Sequence, residues 1–132
     1  IAVDPSPVKS SGLAKIIRGK SNEPRVSQEI ERILGSKKLD LVLSDMAPNI
    51  TGVRIVDDSA SRELAEEALN TAFSYLAPGG RMVAKLFQGP EADSFMAEAK
   101  DCFLKTVLFK PAASRSESRE VFVVADGFKL GR

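Results

Sequence analysis

Short apolar runs alternate along this chain with apolar residues at helical spacing. Runs bounded by Gly, Pro or charged residues predict strands, and apolar positions repeating at i, i+3, i+4 and i+7 predict helices. The predicted strands are residues 1–4, 13–17, 39–44, 81–87, 105–110 and 120–126. The predicted helices are residues 27–34, 59–76 and 91–103. Strands that alternate with helices indicate an α/β fold with a mostly parallel sheet.

Turn residues mark the ends of these elements. The Ala-Pro-Gly-Gly segment at 77–80 is expected to end the second helix and to turn the chain into the next strand. In the third helix, four residues are expected to face the core: Phe95, Ala99, Cys102 and Phe103. We interpret Cys102 as a small core hydrophobe.

The last connection, residues 111–119, is too short to hold a crossover helix, so the last strand is expected to run antiparallel to its predecessor. An antiparallel strand begins at the edge where the parallel strands end. Asp45, Lys85 and Glu120 are therefore expected at one edge of the sheet. A lysine inside an apolar strand is costly to bury unless carboxylates meet it, which makes this edge a candidate functional site.

Each of the three residues also has a simpler explanation when it is taken singly. Asp45 could be a turn residue after a strand, Lys85 could extend its amine to water, and Glu120 could be an exposed strand start. The combination of one lysine with two acids favours a functional site over these readings.

The composition is that of an ordinary globular protein, with 43% hydrophobic and 28% charged residues among 132. We expect one domain over residues 1–132. No apolar run is long enough to span a membrane and no signal sequence is visible, so we expect no membrane partner and a cytoplasmic location. The chain has no histidine, which excludes a Ser-His-Asp triad and most zinc sites, and we expect no metal.

Three motifs, taken in order along the chain, resemble one enzyme family. They are SDMAPN at 44–49, VAKLFQG at 83–89 and KPAASRSESREVFVVA at 110–125. Together they resemble the FtsJ/RrmJ-type ribose 2′-O-methyltransferases, which use S-adenosyl-L-methionine. The resemblance implies a Rossmann-like methyltransferase sheet, mostly parallel with an antiparallel last strand. It also implies methylation of a ribose 2′-hydroxyl of large-subunit ribosomal RNA, with ribosomal RNA or the large ribosomal subunit as partner.

The resemblance carries over residue by residue. Three positions of the family's Lys-Asp-Lys-Glu catalytic tetrad correspond to Asp45, Lys85 and Glu120. The cofactor-binding residues that it implies are Asp4, Asp45, Met46 and Pro48. Charge and position near the tetrad glutamate suggest three RNA-binding residues: Lys110, Arg115 and Arg119.

The chain departs from the family pattern in two ways. The glycine-rich loop that wraps the methionine end of the cofactor and the first tetrad lysine have no counterpart, and the central first strand of the family sheet is absent with them. We therefore expect an N-terminally incomplete methyltransferase domain, since unpaired strand edges are costly. In addition, Lys20 stands where the family commonly has an acid near the adenine amino group.

Two other functions compete with methyl transfer. A non-catalytic RNA-binding or chaperone-like domain would explain the absent upstream motif, although it would not explain the retained Asp45, Lys85 and Glu120. A nicotinamide-dependent dehydrogenase would fit an acid after a strand but needs a glycine-rich loop. Tyr75 also lacks a lysine four positions on, because Gly79 stands there.

Overall fold

The computed structural model describes residues 1–9, 12–111 and 118–129. Strands and helices alternate in these ranges, which confirms the α/β class. The strands are β1 (Ala2–Asp4), β2 (Ile16–Arg18), β3 (Leu39–Ser44), β4 (Leu76–Phe87), β5 (Phe103–Phe109) and β6 (Glu120–Phe128). The helices are α1 (Pro24–Leu34), α2 (Arg54–Tyr75) and α3 (Pro90–Cys102). The chain divides into two compact units, Ile1–Lys38 and Leu39–Arg132.

The larger unit contains a four-stranded sheet in the order β3-β4-β6-β5. β3 and β4 are parallel, whereas β6 is antiparallel to both of its neighbours. The expected antiparallel last strand is thus confirmed, and it lies between β4 and β5. In its register with β4, Glu120 pairs with Phe87, so β6 begins where β4 ends. Among the described residues, β3 pairs along one edge only.

The core of this unit lies between one face of the sheet and the two helices α2 and α3. Its fully buried members include Met82 and Ala84 of β4, Val123 of β6 and Leu69 of α2. The four α3-region residues that were predicted to face inward are all buried: Phe95, Ala99, Cys102 and Phe103. On the other face of β3, Leu41 and Leu43 are exposed.

The smaller unit contains the parallel pair β1 and β2 followed by α1, which buries Val26 and Ile30. The turn between β2 and α1 requires a glycine. At Gly19 φ is +155°, and an added Cβ would lie 2.6 Å from the Arg25 guanidinium and 2.7 Å from a Val26 methyl. These distances are shorter than side-chain contacts allow.

Several element boundaries differ from the sequence prediction. Helix α2 begins at Arg54 rather than at residue 59, and α1 begins at Pro24, because proline suits the first helical position. Strand β2 is Ile16–Arg18 rather than 13–17, and Leu13 is 95% exposed. Residues 77–80 form the irregular start of β4 instead of a separate turn. There the register with β3 shifts between Leu39 and Leu41.

No helix among the described residues combines the length and the apolar character needed to cross a lipid bilayer.

Candidate active site

Lys85 lies near the carboxyl end of β4, between the buried residues Ala84 and Leu86. Because successive strand residues point to opposite faces, its side chain extends from the face opposite the helical core. Only 14% of that side chain is exposed, so the amine needs a counter-charge. Asp45 provides one, with its Oδ1 at 3.0 Å from Lys85 Nζ. Glu120 provides another, with its Oε2 at 3.8 Å from the same nitrogen.

The predicted convergence of Asp45, Lys85 and Glu120 is therefore confirmed, while their catalytic role stays a prediction. The two acids are more accessible than the lysine, since 73% of the Asp45 side chain and 44% of the Glu120 side chain are exposed. The cluster is thus a largely buried ammonium group held by two carboxylates that face solvent. Such an arrangement can orient a hydroxyl group and take part in the transfer of its proton at a solvent-accessible edge.

The loop that follows Asp45 is held by a buried acid of α2. Asp57 Oδ1 accepts hydrogen bonds from the Thr51 amide at 2.9 Å and the Thr51 hydroxyl at 2.7 Å, and Oδ2 accepts one from the Gly52 amide at 3.2 Å. The Thr51 amide is the main cause that lowers the pKa of Asp57, followed by the Thr51 hydroxyl. The ionised carboxylate therefore fixes the path of this loop.

The next residue of α2 holds the segment that precedes Glu120. Asp58 is buried, and its Oδ1 accepts a hydrogen bond of 2.7 Å from Arg119 Nη1. The Arg119 guanidinium also lies over the Phe87 ring, with its carbon 5.1 Å from the ring centroid. Arg54 is a more distant partner, with Nε at 3.9 Å from Asp58 Oδ2.

Two further hydrogen bonds fix the ends of β4 and β6. The buried hydroxyl oxygen of Ser61 in α2 accepts a hydrogen bond of 3.0 Å from the Phe87 amide. At the start of β6, the Ser118 hydroxyl oxygen accepts a hydrogen bond of 3.2 Å from the Glu120 amide. Lys110 donates its ammonium group to the Ser118 carbonyl, which joins the two ends of the connection between β5 and β6.

The other predicted site residues have varied surroundings. Asp4 lies in the smaller unit at the end of β1, where its Oδ1 accepts a hydrogen bond of 2.8 Å from the Ser6 amide. Met46 and Pro48 are half-buried in the loop after Asp45. Arg119 is engaged by Asp58, and Arg115 lies outside the described residues.

Lys20, the departure from the family pattern, is followed by an acid that turns back toward it. The Glu23 carboxylate accepts a hydrogen bond of 2.9 Å from the Lys20 amide, which is the main cause that lowers the pKa of Glu23. Among the described residues, no group of three or more Cys, Asp or Glu side chains is arranged to hold a metal ion.

Sequence reasoning missed Asp57, Asp58 and Ser61, the buried polar residues in the first turns of α2. The helix had been predicted to start at residue 59, so both aspartates were assigned to a loop. The available signal was the Asp-Asp-Ser run at 57–59, which precedes the apolar stripe that begins at Leu64. Acids are favoured at a helix N-terminus.

Fold and site together define an α/β domain with a Lys-Asp-Glu cluster at the carboxyl edge of its sheet, an arrangement suited to group transfer at a hydroxyl. Comparison with known families agrees with this assignment. A profile described as "FtsJ-like methyltransferase" matches residues 1–128. The chain belongs to the FtsJ-like methyltransferase family.

Individual curated relatives are named as ribosomal RNA methyltransferases. The chain is 42% identical over 132 residues to "Ribosomal RNA large subunit methyltransferase E" of Coxiella burnetii, covering 97% of this chain and 62% of the relative. It is 41% identical over 129 residues to the protein of the same name from Stutzerimonas stutzeri, covering 98% and 63%. The chain thus spans less than two thirds of the length of these curated relatives.

A solved structure shares the fold over almost the whole chain. A crystal structure of a ribosomal RNA methyltransferase from Plasmodium falciparum matches with a TM-score of 0.87 and 26% sequence identity. The match covers 98% of this chain and 71% of that protein.

Proposed function

We propose that this chain provides the methyl-transfer site of an S-adenosyl-L-methionine-dependent methyltransferase that acts on a ribose 2′-hydroxyl of large-subunit ribosomal RNA. The observation that carries the proposal is the position of the Lys85 amine, 3.0 Å from Asp45 and 3.8 Å from Glu120 at the carboxyl edge of the sheet. Relatives named as large-subunit ribosomal RNA methyltransferases support the choice of substrate.

The chain offers chemically suitable groups for the cofactor. A carboxylate after a parallel strand suits ribose hydroxyls, and Asp4 has this place in the smaller unit. In the larger unit, the loop that begins at Asp45 carries Met46 and Pro48, which we assign to cofactor contacts. When bound, S-adenosyl-L-methionine supplies a methyl group activated on a sulfonium.

The protein's task in this reaction is mainly to align the hydroxyl, because the methyl group is already activated. The ribose 2′-oxygen forms its new bond to the methyl carbon in line with the breaking bond to sulfur, and the hydroxyl proton is released. We assign to Lys85 the orientation or deprotonation of that hydroxyl, and to Asp45 and Glu120 the positioning of the Lys85 amine.

RNA binding is assigned to the basic residues near Glu120. Lys110 and Arg119 both lie at the ends of the connection between β5 and β6, and Arg115 belongs to the same connection in the sequence. Cations at this position would meet the phosphate backbone of a substrate bound at the neighbouring edge. Arg119 is already paired with Asp58. We therefore expect Lys110 to contribute more than Arg119 does to the salt dependence of RNA affinity.

The test is methyl transfer by the full-length protein from radiolabelled donor to ribosomal RNA and to large ribosomal subunits. Lys85→Ala is expected to abolish transfer while calorimetric binding of S-adenosylhomocysteine persists. Lys100→Ala, which removes an exposed lysine of α3, is the matched control and should retain transfer. Turnover by Lys85→Ala would remove Lys85 from its assigned role, and RNA binding without transfer by the wild-type protein would favour a non-catalytic RNA-binding domain.

A further inference from the structure

Asp58 is a buried carboxylate in the first turns of α2. Its relative exposure is 8%, so its charge requires a close partner. Arg119 Nη1 is that partner at 2.7 Å. Arg54 contributes less, because its Nε is 3.9 Å away and 68% of its side chain is exposed to water.

Arg119 is held in three ways at the point where the chain enters β6. Its guanidinium is paired with Asp58 and lies over the Phe87 ring. Its backbone carbonyl accepts a hydrogen bond of 2.7 Å from the Gln88 amide. The side chain and the backbone of Arg119 are therefore both tied to the end of β4.

Glu120 follows Arg119 directly and is the first residue of β6 in register with β4. The Arg119 side chain reaches Asp58 of α2, whereas the Glu120 side chain reaches the Lys85 amine. A displacement of Arg119 is consequently passed to Glu120 through one peptide unit. The Glu120 contact is sensitive to such a displacement, since its Oε2 is already 3.8 Å from Lys85 Nζ.

We propose that Asp58 is a positioning residue: by holding Arg119 at the start of β6, it sets the distance between the Glu120 carboxylate and the Lys85 amine. The kinetic part of this inference rests on the proposed methyl-transfer function. The cations that pair with Asp58 are Arg119 and Arg54, and its effect on turnover passes through Arg119 and Glu120.

The variant that tests this is Asp58→Asn, which keeps the size of the side chain and removes its charge. A misplacement of about 1 Å at a reacting group lowers turnover by roughly 100-fold, so we expect kcat for methyl transfer to fall by about 10- to 100-fold. KM for RNA is expected to change less than kcat, because the group that is displaced, Glu120, is assigned to the Lys85 amine and not to RNA. A kcat within about twofold of the wild type would overturn the inference.

The matched control is Asp126→Asn. It breaks the pair between Asp126 of β6 and Arg81 of β4, at the end of these strands away from Lys85 and Glu120. It should leave kcat unchanged, and a loss equal to that of Asp58→Asn would indicate general loosening of the sheet and overturn the inference. Arg119→Lys is a second variant, which keeps a cation beside the buried Asp58 carboxylate. Because lysine cannot pair and stack as arginine does, kcat should also fall, and wild-type kcat in this variant would count against the inference.

A crystal structure of the Asp58→Asn protein tests the positioning without any turnover. We expect the Glu120 Oε2 to Lys85 Nζ distance to lengthen by at least 1 Å from 3.8 Å, a displacement of about the size that impairs catalysis. An unchanged distance would overturn the inference. A wild-type protein that transfers no methyl group would refute the proposed function alone, since this measurement would still decide the role of Asp58.

Discussion

Neutralising both carboxylates beside Lys85 should destabilise the protein by more than the two single changes together. The perturbations are Asp45→Asn, Glu120→Gln and the double variant. Each single change leaves the other acid within 4 Å of the Lys85 amine, at 3.8 Å or 3.0 Å. The double change leaves an ammonium group whose side chain is only 14% exposed without a carboxylate.

The magnitude follows from the distances and exposures. At equal dielectric, attraction falls with distance, so Asp45 attracts the amine about 1.3 times as strongly as Glu120 does. Both carboxylates are partly or largely exposed, and solvent screening limits each single loss to about 1 kcal/mol. Removing the second acid isolates a largely buried charge, which costs about 3–5 kcal/mol in total. The expected coupling energy is therefore about 1–3 kcal/mol.

The assay is urea unfolding at pH 7 of the wild type, the two single variants and the double variant. Adding Lys85→Met to the double variant should recover stability, because no buried charge then remains. Asp126→Asn serves as the control acid, since its partner Arg81 has a side chain that is 56% exposed. Its effect should add to that of Asp45→Asn without coupling.

Additive losses of stability in the double variant would refute the predicted coupling. If the double variant loses no more than the sum of the single losses, within about 0.5 kcal/mol, the amine does not depend on the two acids. Water would then satisfy Lys85 equally well, and the three residues would not form one electrostatic unit. Failure of Lys85→Met to recover stability would lead to the same conclusion.

Two further predictions concern the first turns of α2. Ser61→Ala removes the acceptor of the buried Phe87 amide and should lower the free energy of unfolding in urea by about 1–3 kcal/mol. Ser59→Ala, on the exposed side of the helix, is the control. Equal losses in the two variants would contradict a stabilising role for the Ser61 hydrogen bond. Asp57→Asn should lower Tm at pH 7. Because the Thr51 amide lowers the pKa of Asp57 below its ordinary 3.8, this stabilisation is present above that pH and lost as pH falls through the lowered value. The Tm difference should therefore shrink in acid, and a constant difference would contradict the reasoning.

The charged edge of the sheet could be predicted because it depends on simple rules. The strand 39–44 was predicted with the bounds that the structure shows, and the short connection at 111–119 required an antiparallel last strand. These two facts predicted Glu120 at the same edge as Asp45 and Lys85, and in the structure it lies opposite Phe87. The insertion of β6 between β4 and β5 could not be read from the same rules, because pairing order depends on packing between distant segments.

The hydrophobic pattern did not reveal the start of α2, because that pattern is inverted there. Ile55 is 83% exposed and Val56 is 49% exposed, whereas Asp57 and Asp58 are 4% and 8% exposed. A method that assigns apolar residues to the core fails on such a segment. For Asp58 the reason is tertiary, since its partner Arg119 is 61 residues away in the sequence.

The inverted segment holds three parts of the chain that adjoin the charged cluster. Asp57 binds the loop that follows Asp45, Asp58 binds the residue before Glu120, and Ser61 binds the strand end two residues beyond Lys85. A helix that contributes none of the cluster's charged groups is thus connected to the neighbours of all of them. Because buried polar groups are costly unless they are paired, these three contacts favour one arrangement of the loops over others. The geometry of the site is therefore controlled in part by side chains outside the Lys-Asp-Glu cluster.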